Sequence, residues 1–163
     1  MRYSKDETKA LAHSIGRADC LIDINTMISK EGFGGIIPFF VKSEVILDMD
    51  CVEGKLASQE KRASNKSMDS AFVVSNGKTE ILLVEFRFNY VKMKNLDKKE
   101  LFGKVNGSKN ALRSSTLIIQ DRYFFIFDKN LKEQAKRRFR NMVPSMPNNY
   151  IATDLSDLKS LYF

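Results

Sequence analysis

The stretch Thr79 to Phe88 constrains the fold more than any other part of the chain. It holds the run Ile81-Leu82-Leu83-Val84 and then changes character to Glu85-Phe86-Arg87-Phe88. A run this apolar fits a central strand covered on both faces. Side chains alternate along a strand, so Leu82, Val84, Phe86 and Phe88 share one face, while Ile81, Leu83, Glu85 and Arg87 share the other. Two charged groups therefore follow two aliphatic ones on the same side of a buried strand. Such a conflict between pattern and chemistry marks a position with work beyond packing.

The segment just before it supplies a partner. Asp69-Ser70-Ala71-Phe72-Val73-Val74 reads as a second strand, and Asn76-Gly77 as a two-residue hairpin turn in which both residues take positive φ. That hairpin sets Asp69 beside Glu85. Two neighbouring carboxylates offer hard oxygen ligands suited to Mg2+. An ion held there would polarise a phosphodiester and lower the pKa of bound water. Arg87, two residues beyond Glu85, falls on the same face and can offset charge developing on a phosphate.

Around this pair the chain alternates helices and strands. Ser4 with Glu7 forms a capping box for a helix over 5–15 that ends at Gly16. Leu21, Ile24 and Ile28 predict a second helix over 18–30, stopped by Gly32. Residues 1–35 thus make a helical N-terminal segment ahead of a core spanning 36–163. A first strand is expected near Glu44–Asp50, and the polar, basic stretch 53–67 is loop or helix. Asp97 and Glu100 open a helix over 98–112, and a long strand follows over 116–127. Asp128 is the expected N-cap of a helix carrying Leu131, Ala135, Phe139 and Met142, ended by Pro144 and Pro147. A short strand at Tyr150–Ala152 and a helical turn after Asp154 complete the chain. At 163 residues, this order predicts one α/β domain with a mixed sheet flanked by helices.

An acid at a strand start, a hairpin, then acid-x-base in an apolar strand, then helix and strand resembles the PD-(D/E)XK nuclease superfamily. The resemblance covers about residues 44–127, with Met68-Asp69 as its first element and Glu85-Phe86-Arg87 as its second. It implies a restriction-endonuclease-like core, Asp69 and Glu85 as Mg2+ ligands, and phosphodiester hydrolysis of DNA rather than RNA. The family's proline is Met68 here, and its lysine is Arg87, a fixed cation that is a poor proton acceptor. In some members the lysine sits on the following helix, which makes Lys104 the candidate for that role, ahead of Lys109. Glu44, Glu53 and Glu60 are candidates for a further upstream acid. The alternative is a catalytically silent module acting through a protein or nucleic-acid partner in an immunity, defence or regulatory role. As a small single domain, a nuclease of this kind would dimerise or be recruited to its target.

The net charge of +7 is unevenly spread. Residues 92–113 carry seven cations against two acids and residues 129–140 six against one, which leaves the remainder at −3. Lys92, Lys94, Lys109, Lys132, Lys136, Arg137 and Arg140 are the candidate nucleic-acid contacts in these segments, if they cluster on one face. Tyr90, Tyr123 and Phe124–Phe127 are interleaved with strands and are expected in the core. Gly103 and Gly107, one helical turn apart, do not make a Walker A loop, because Ser108 precedes Lys109 and only three residues separate the glycines. They are expected to let the helix approach the sheet.

Two cysteines and one histidine exclude a disulfide-rich scaffold and a four-ligand zinc site. His13 has no partner motif for nucleophilic catalysis. Cys20 and Cys51 as free thiols suit a reducing cytoplasm. The charged start Met1–Glu7 is not read as a signal peptide, and no apolar run is long enough to span a membrane.

Overall fold

The two strands joined at Asn76-Gly77 lie at the centre of a seven-stranded mixed sheet in the computed structural model, which describes residues 2–163. The strands are β1 (Arg2–Tyr3), β2 (Leu21–Asp23), β3 (Val45–Asp48), β4 (Ser70–Ser75), β5 (Thr79–Arg87), β6 (Ile118–Phe127) and β7 (Tyr150–Asp154). Their order is β2-β3-β4-β5-β6-β7, with β1 also paired to β4. Pairs from β2 to β5 are antiparallel, whereas β5, β6 and β7 run parallel. Parallel neighbours need crossovers, and two helices provide them: α4 (Lys98–Ala111) between β5 and β6, and α5 (Lys132–Asn141) between β6 and β7. The remaining helices are α1 (Lys5–Ser14), α2 (Ile24–Lys30), α3 (Met49–Gln59) and α6 (Leu155–Tyr162).

The alternation along β5 separates two cores. Ile81 and Leu83 join Leu11, Val52, Leu101, Val105, Ala135 and Phe139, so α1, α3, α4 and α5 cover one face of the sheet. Leu82, Val84 and Phe86 join Ile24, Ile28, Leu155 and Leu158, so α2 and α6 cover the other. Tyr123 and Phe124–Phe127 are buried, at 2% exposure or less, and belong to these cores. No helix among the described residues is long and apolar enough to cross a membrane.

Several local expectations are corrected. The hairpin loop has three residues, because Ser75 pairs with Thr79, and only Gly77 takes positive φ. Residues 18–30 are not one helix. A 3-10 turn over Ala18–Cys20 leads into β2, and α2 begins only after Asp23, whose carboxylate accepts from the Asn25 and Thr26 amides. Asp48 likewise ends β3 and caps α3 by accepting from the Cys51 amide at 3.0 Å. An aspartate cap switches strand to helix at both places, and the apolar spacing alone did not separate the two states. Asp128 does not cap α5 directly; its carboxylate accepts from the Asn130 amide in the turn before the helix. Cys20 and Cys51 are not free thiols. They form a disulfide, with Cα atoms 5.6 Å apart, that ties the turn before β2 to the first turn of α3. The inference from free thiols to a reducing compartment loses its premise.

The seating of α4 depends on a glycine. A Cβ on Gly107 would stand 1.8 Å from the Lys66 carbonyl oxygen, so the backbone of the loop before β4 rests directly on the helix. One residue on, buried Ser108 accepts from the Met68 amide at 2.8 Å. The close approach is therefore to this loop and not to the sheet. Gly103 is different, since a Cβ there would meet only the Lys66 side chain, at 3.9 Å. Gly107→Ala is expected to lower stability in urea denaturation by about 1–3 kcal/mol, the usual cost of overpacking. Gly103→Ala is expected to raise it by about 0.5–1 kcal/mol, through helix propensity alone.

Candidate functional site

Register places the two candidate acids together. Ser70 pairs with Val84, so Asp69, just before β4, falls opposite Glu85 on β5. The Phe86 amide donates to Asp69 Oδ2 at 2.6 Å, and the Met49 amide donates to the Asp69 carbonyl at 3.0 Å. Asp69 is thus held from β5 on one side and from the start of α3 on the other. The acids are 6% and 2% exposed, which makes their charges costly unless matched.

The match comes from α4. The Lys104 ammonium lies 2.8 Å from Glu85 Oε1, 3.0 Å from Glu85 Oε2 and 3.6 Å from Asp69 Oδ1. Leu101, Val105 and Ser108 face the core on the same side of α4, which aims Lys104 at the sheet. Arg87 is 8% exposed and serves a different purpose. It donates to Glu100 Oε1 at 2.8 Å and lies over the Tyr90 ring at 4.8 Å. Its Nε is 3.0 Å from Glu85 Oε1 but is not aligned to donate, so that contact is Coulombic. Arg87 is fixed inside the protein, whereas the Lys104 side chain is 18% exposed.

These contacts set the protonation states. Burial first, and the charge of Asp69 second, push the Glu85 carboxyl up to about 8, against the pull of Arg87 and Lys104. Burial also raises Asp69, opposed by the Lys104 charge and the Phe86 amide. Burial pulls Lys104 down, but the charges of Glu85 and Asp69 outweigh it, and its ammonium is held above the usual lysine range.

Both carboxylates reach one ammonium and so face one cation-sized point. That donor set fits Mg2+ in kind, because this ion binds through one or two carboxylates and retains several waters. Among the described residues no group of three or more His, Cys, Asp or Glu could hold a metal. The expected upstream acids are elsewhere. Glu53 pairs with Arg62 at 2.6 Å, Glu60 pairs with Arg62 and Arg113, and Glu44 neighbours Tyr3. The acids whose charge acts on the site are Asp50, in the first turn of α3, and Glu31, just after α2. Asp50 accepts from Ser67 Oγ at 2.7 Å. Only the strand-to-helix switch at Asp48 could have located Asp50 from sequence.

The candidate phosphate contacts are scattered in role. Lys132 is held by Asp154 and Asp157, at 2.6 and 2.9 Å, and Lys136 by Glu133 at 2.9 Å. Lys109 lies over the Tyr123 ring at 5.0 Å, away from the acid pair on α4's last turn. Lys92, Lys94, Arg137 and Arg140 are exposed. The chain matches no family model, no curated protein and no solved structure.

Glu85 gives the site a pH signature. Its folded pKa is raised above its unfolded value near 4.5, so its stabilising contribution is complete below about 4.5 and is lost as pH rises through about 8. Asp69 and Glu31 are raised as well and act in the same direction. The carboxylates held low, such as Glu53 and Glu100, lose their contribution only as pH falls through their lowered values, outside this window. Thermal melts are expected to show stability falling between about pH 5 and 8, and Glu85→Gln is expected to flatten that slope. An unchanged slope in the variant would mean that Glu85 ionises normally.

Proposed function

We propose that the protein is a divalent-metal-dependent phosphodiester hydrolase acting on DNA, with a restriction-endonuclease-like core of the PD-(D/E)XK type. The observation that carries this reading is the convergence of Asp69, Glu85 and Lys104 on one point from β4, β5 and α4. The connectivity agrees: an antiparallel β3-β4-β5 unit, then a helix, then β6 parallel to β5. Asp69 and Glu85 would hold Mg2+, which when bound supplies a Lewis acid and an activated water at the phosphate.

The chain's own groups divide the remaining tasks. Lys104 stays protonated, so it stabilises negative charge developing on phosphoryl oxygens and does not remove a proton. Arg87 is a positioning residue. Its bond to Glu100 ties the end of β5 to α4, and its charge lowers the cost of burying Glu85. The Phe86 amide fixes which Asp69 oxygen is free to face the ion.

One observation favours the silent-module alternative: Lys104 and Arg87 already offset part of the charge on the two carboxylates. Calorimetric titration with Mg2+ separates the readings, because binding that depends on Glu85 argues against a silent module.

Incubation of the pure protein with DNA and Mg2+ or Mn2+ is expected to give cleavage that Glu85→Ala abolishes. Lys104→Met is expected to lower the rate by roughly 10²–10³-fold, as for loss of one charge-stabilising donor. Arg87→Lys is expected to change it by less than about tenfold while lowering stability, since the residue acts by position. Equal cleavage by wild type and Glu85→Ala, or none by wild type, would sink the hydrolase reading.

A further inference from the structure

Beside Lys104, α4 carries a second stripe that meets the loop before β4 at buried Gly107 and reaches solvent at Asn106. Gly103, Asn106, Gly107 and Asn110 recur at i, i+3, i+4 and i+7, the spacing of a single helix face. On a helix packed into a protein such a stripe is usually apolar; here it consists of glycine and asparagine. Asn65 and Lys66, from the loop before β4, face it across a groove of about 350 Å³. The lining therefore holds amides, bare backbone and one lysine, with no carboxylate and no apolar side chain.

The groove is built and not incidental. Its floor exists because Gly107 lets the Lys66 carbonyl rest on the helix, and Gly103 leaves the space next to Lys104 open. The loop wall is pinned where the Asn65 amide donates to Glu53 Oε1 at 2.6 Å, with Arg62 holding the same carboxylate. It is pinned again where the Met68 amide donates to Ser108. On the opposite wall, Asn110 Oδ1 accepts from Arg113 at 3.1 Å, which leaves the amide nitrogen as the group still available to donate. Asn106 and Lys66 are exposed. Among the described residues Lys66 has no ion pair within 4 Å, though its charge acts on Glu100.

We propose that this groove seats the phosphodiester backbone of a nucleic-acid strand, next to the phosphate that would face a metal ion held by Asp69 and Glu85. Lys66 pairs one phosphate, and the side-chain amides of Asn106 and Asn110 donate to phosphate or sugar oxygens. Contacts of this type position a strand without reading its sequence. A protein partner suits the groove poorly, because an interface core needs apolar anchors and this lining has none. α5 is a weaker candidate for the same task, since Lys132 and Lys136 are already paired with acids. The proposal rests on the hydrolase reading for the identity of the neighbouring phosphate, but its test does not require cleavage.

The test is fluorescence anisotropy of a labelled DNA duplex in EDTA, with affinity measured across a salt series. Removing one phosphate contact lowers the slope of log affinity against log salt by about 0.9 on duplex DNA. Lys66→Ala is expected to show that loss, to the same extent on unrelated sequences. Asn106→Asp places a carboxylate in the groove and is expected to weaken binding by at least roughly tenfold. Both positions are exposed, and melting curves confirm that each variant is folded. Wild-type slope and affinity in both variants, or no binding by the wild type, would overturn the groove. A slope change without cleavage would leave the groove standing as a polyanion site while the hydrolase reading falls. Cleavage with unaltered slopes would do the reverse.

Discussion

Two carboxylates buried in the middle of a sheet are tolerable only because one ammonium group reaches both. Isolated burial of Asp69 and Glu85 would cost several kcal/mol for each charge, and their mutual repulsion would add to it. Lys104 contacts both, and Arg87 supports Glu85 from behind. Even so, the balance is incomplete, and the Glu85 carboxyl is pushed up to about 8. A group poised so close to neutrality responds to any change in local positive charge. On the proposed reading, exchange of Lys104 for a divalent ion would favour the ionised form and would link metal binding to proton release.

That dependence moves the structural burden onto α4. The helix must deliver Lys104 with little error, and it is fixed by means other than its own propensity. Gly103 and Gly107 each weaken it by about 1 kcal/mol relative to alanine. Gly107 offsets this by admitting the Lys66 carbonyl, and Ser108 clamps the Met68 amide directly before Asp69. The clamp that seats the lysine thus also positions the first acid. Arg87 adds a third tie through Glu100. Site and fold are stabilised by the same contacts, so damage to one is expected to reach the other.

How much of this was legible in the sequence depends on the range of the interaction. The central strand, the hairpin and the side of β5 carrying Glu85 follow from alternation, a local property. Lys104 was a candidate only through the resemblance to the PD-(D/E)XK superfamily, in some members of which the lysine sits on the helix after that strand. Three things were not legible. Asp23 and Asp48 act as helix caps, and a cap is indistinguishable from a strand-end acid until the backbone turns. Arg62, the partner that Glu53 and Glu60 share, lies in a loop with no periodicity, so acids that pin it looked like spare ligands. The pairing of Cys20 with Cys51 depends on β2 lying beside β3, where the apolar spacing over 18–30 predicts a helix.

An arginine on β5 and a lysine on α4 can be understood from the same geometry. A guanidinium is planar and always charged, and it favours fixed, forked contacts and aromatic faces. Arg87 has both in Glu100 and Tyr90, and at 8% exposure it has no room to withdraw. On the proposed reading, a cation that shares its place with a metal ion must be able to move aside. Lys104 can do this, because it sits on a flexible four-carbon stem, enters from a helix and remains partly solvated. On that reading, β5 therefore carries a cation that is purely supporting. On the same reading Lys104, Asn106 and Asn110 ride on one helix, while Lys66 faces them from the loop before β4.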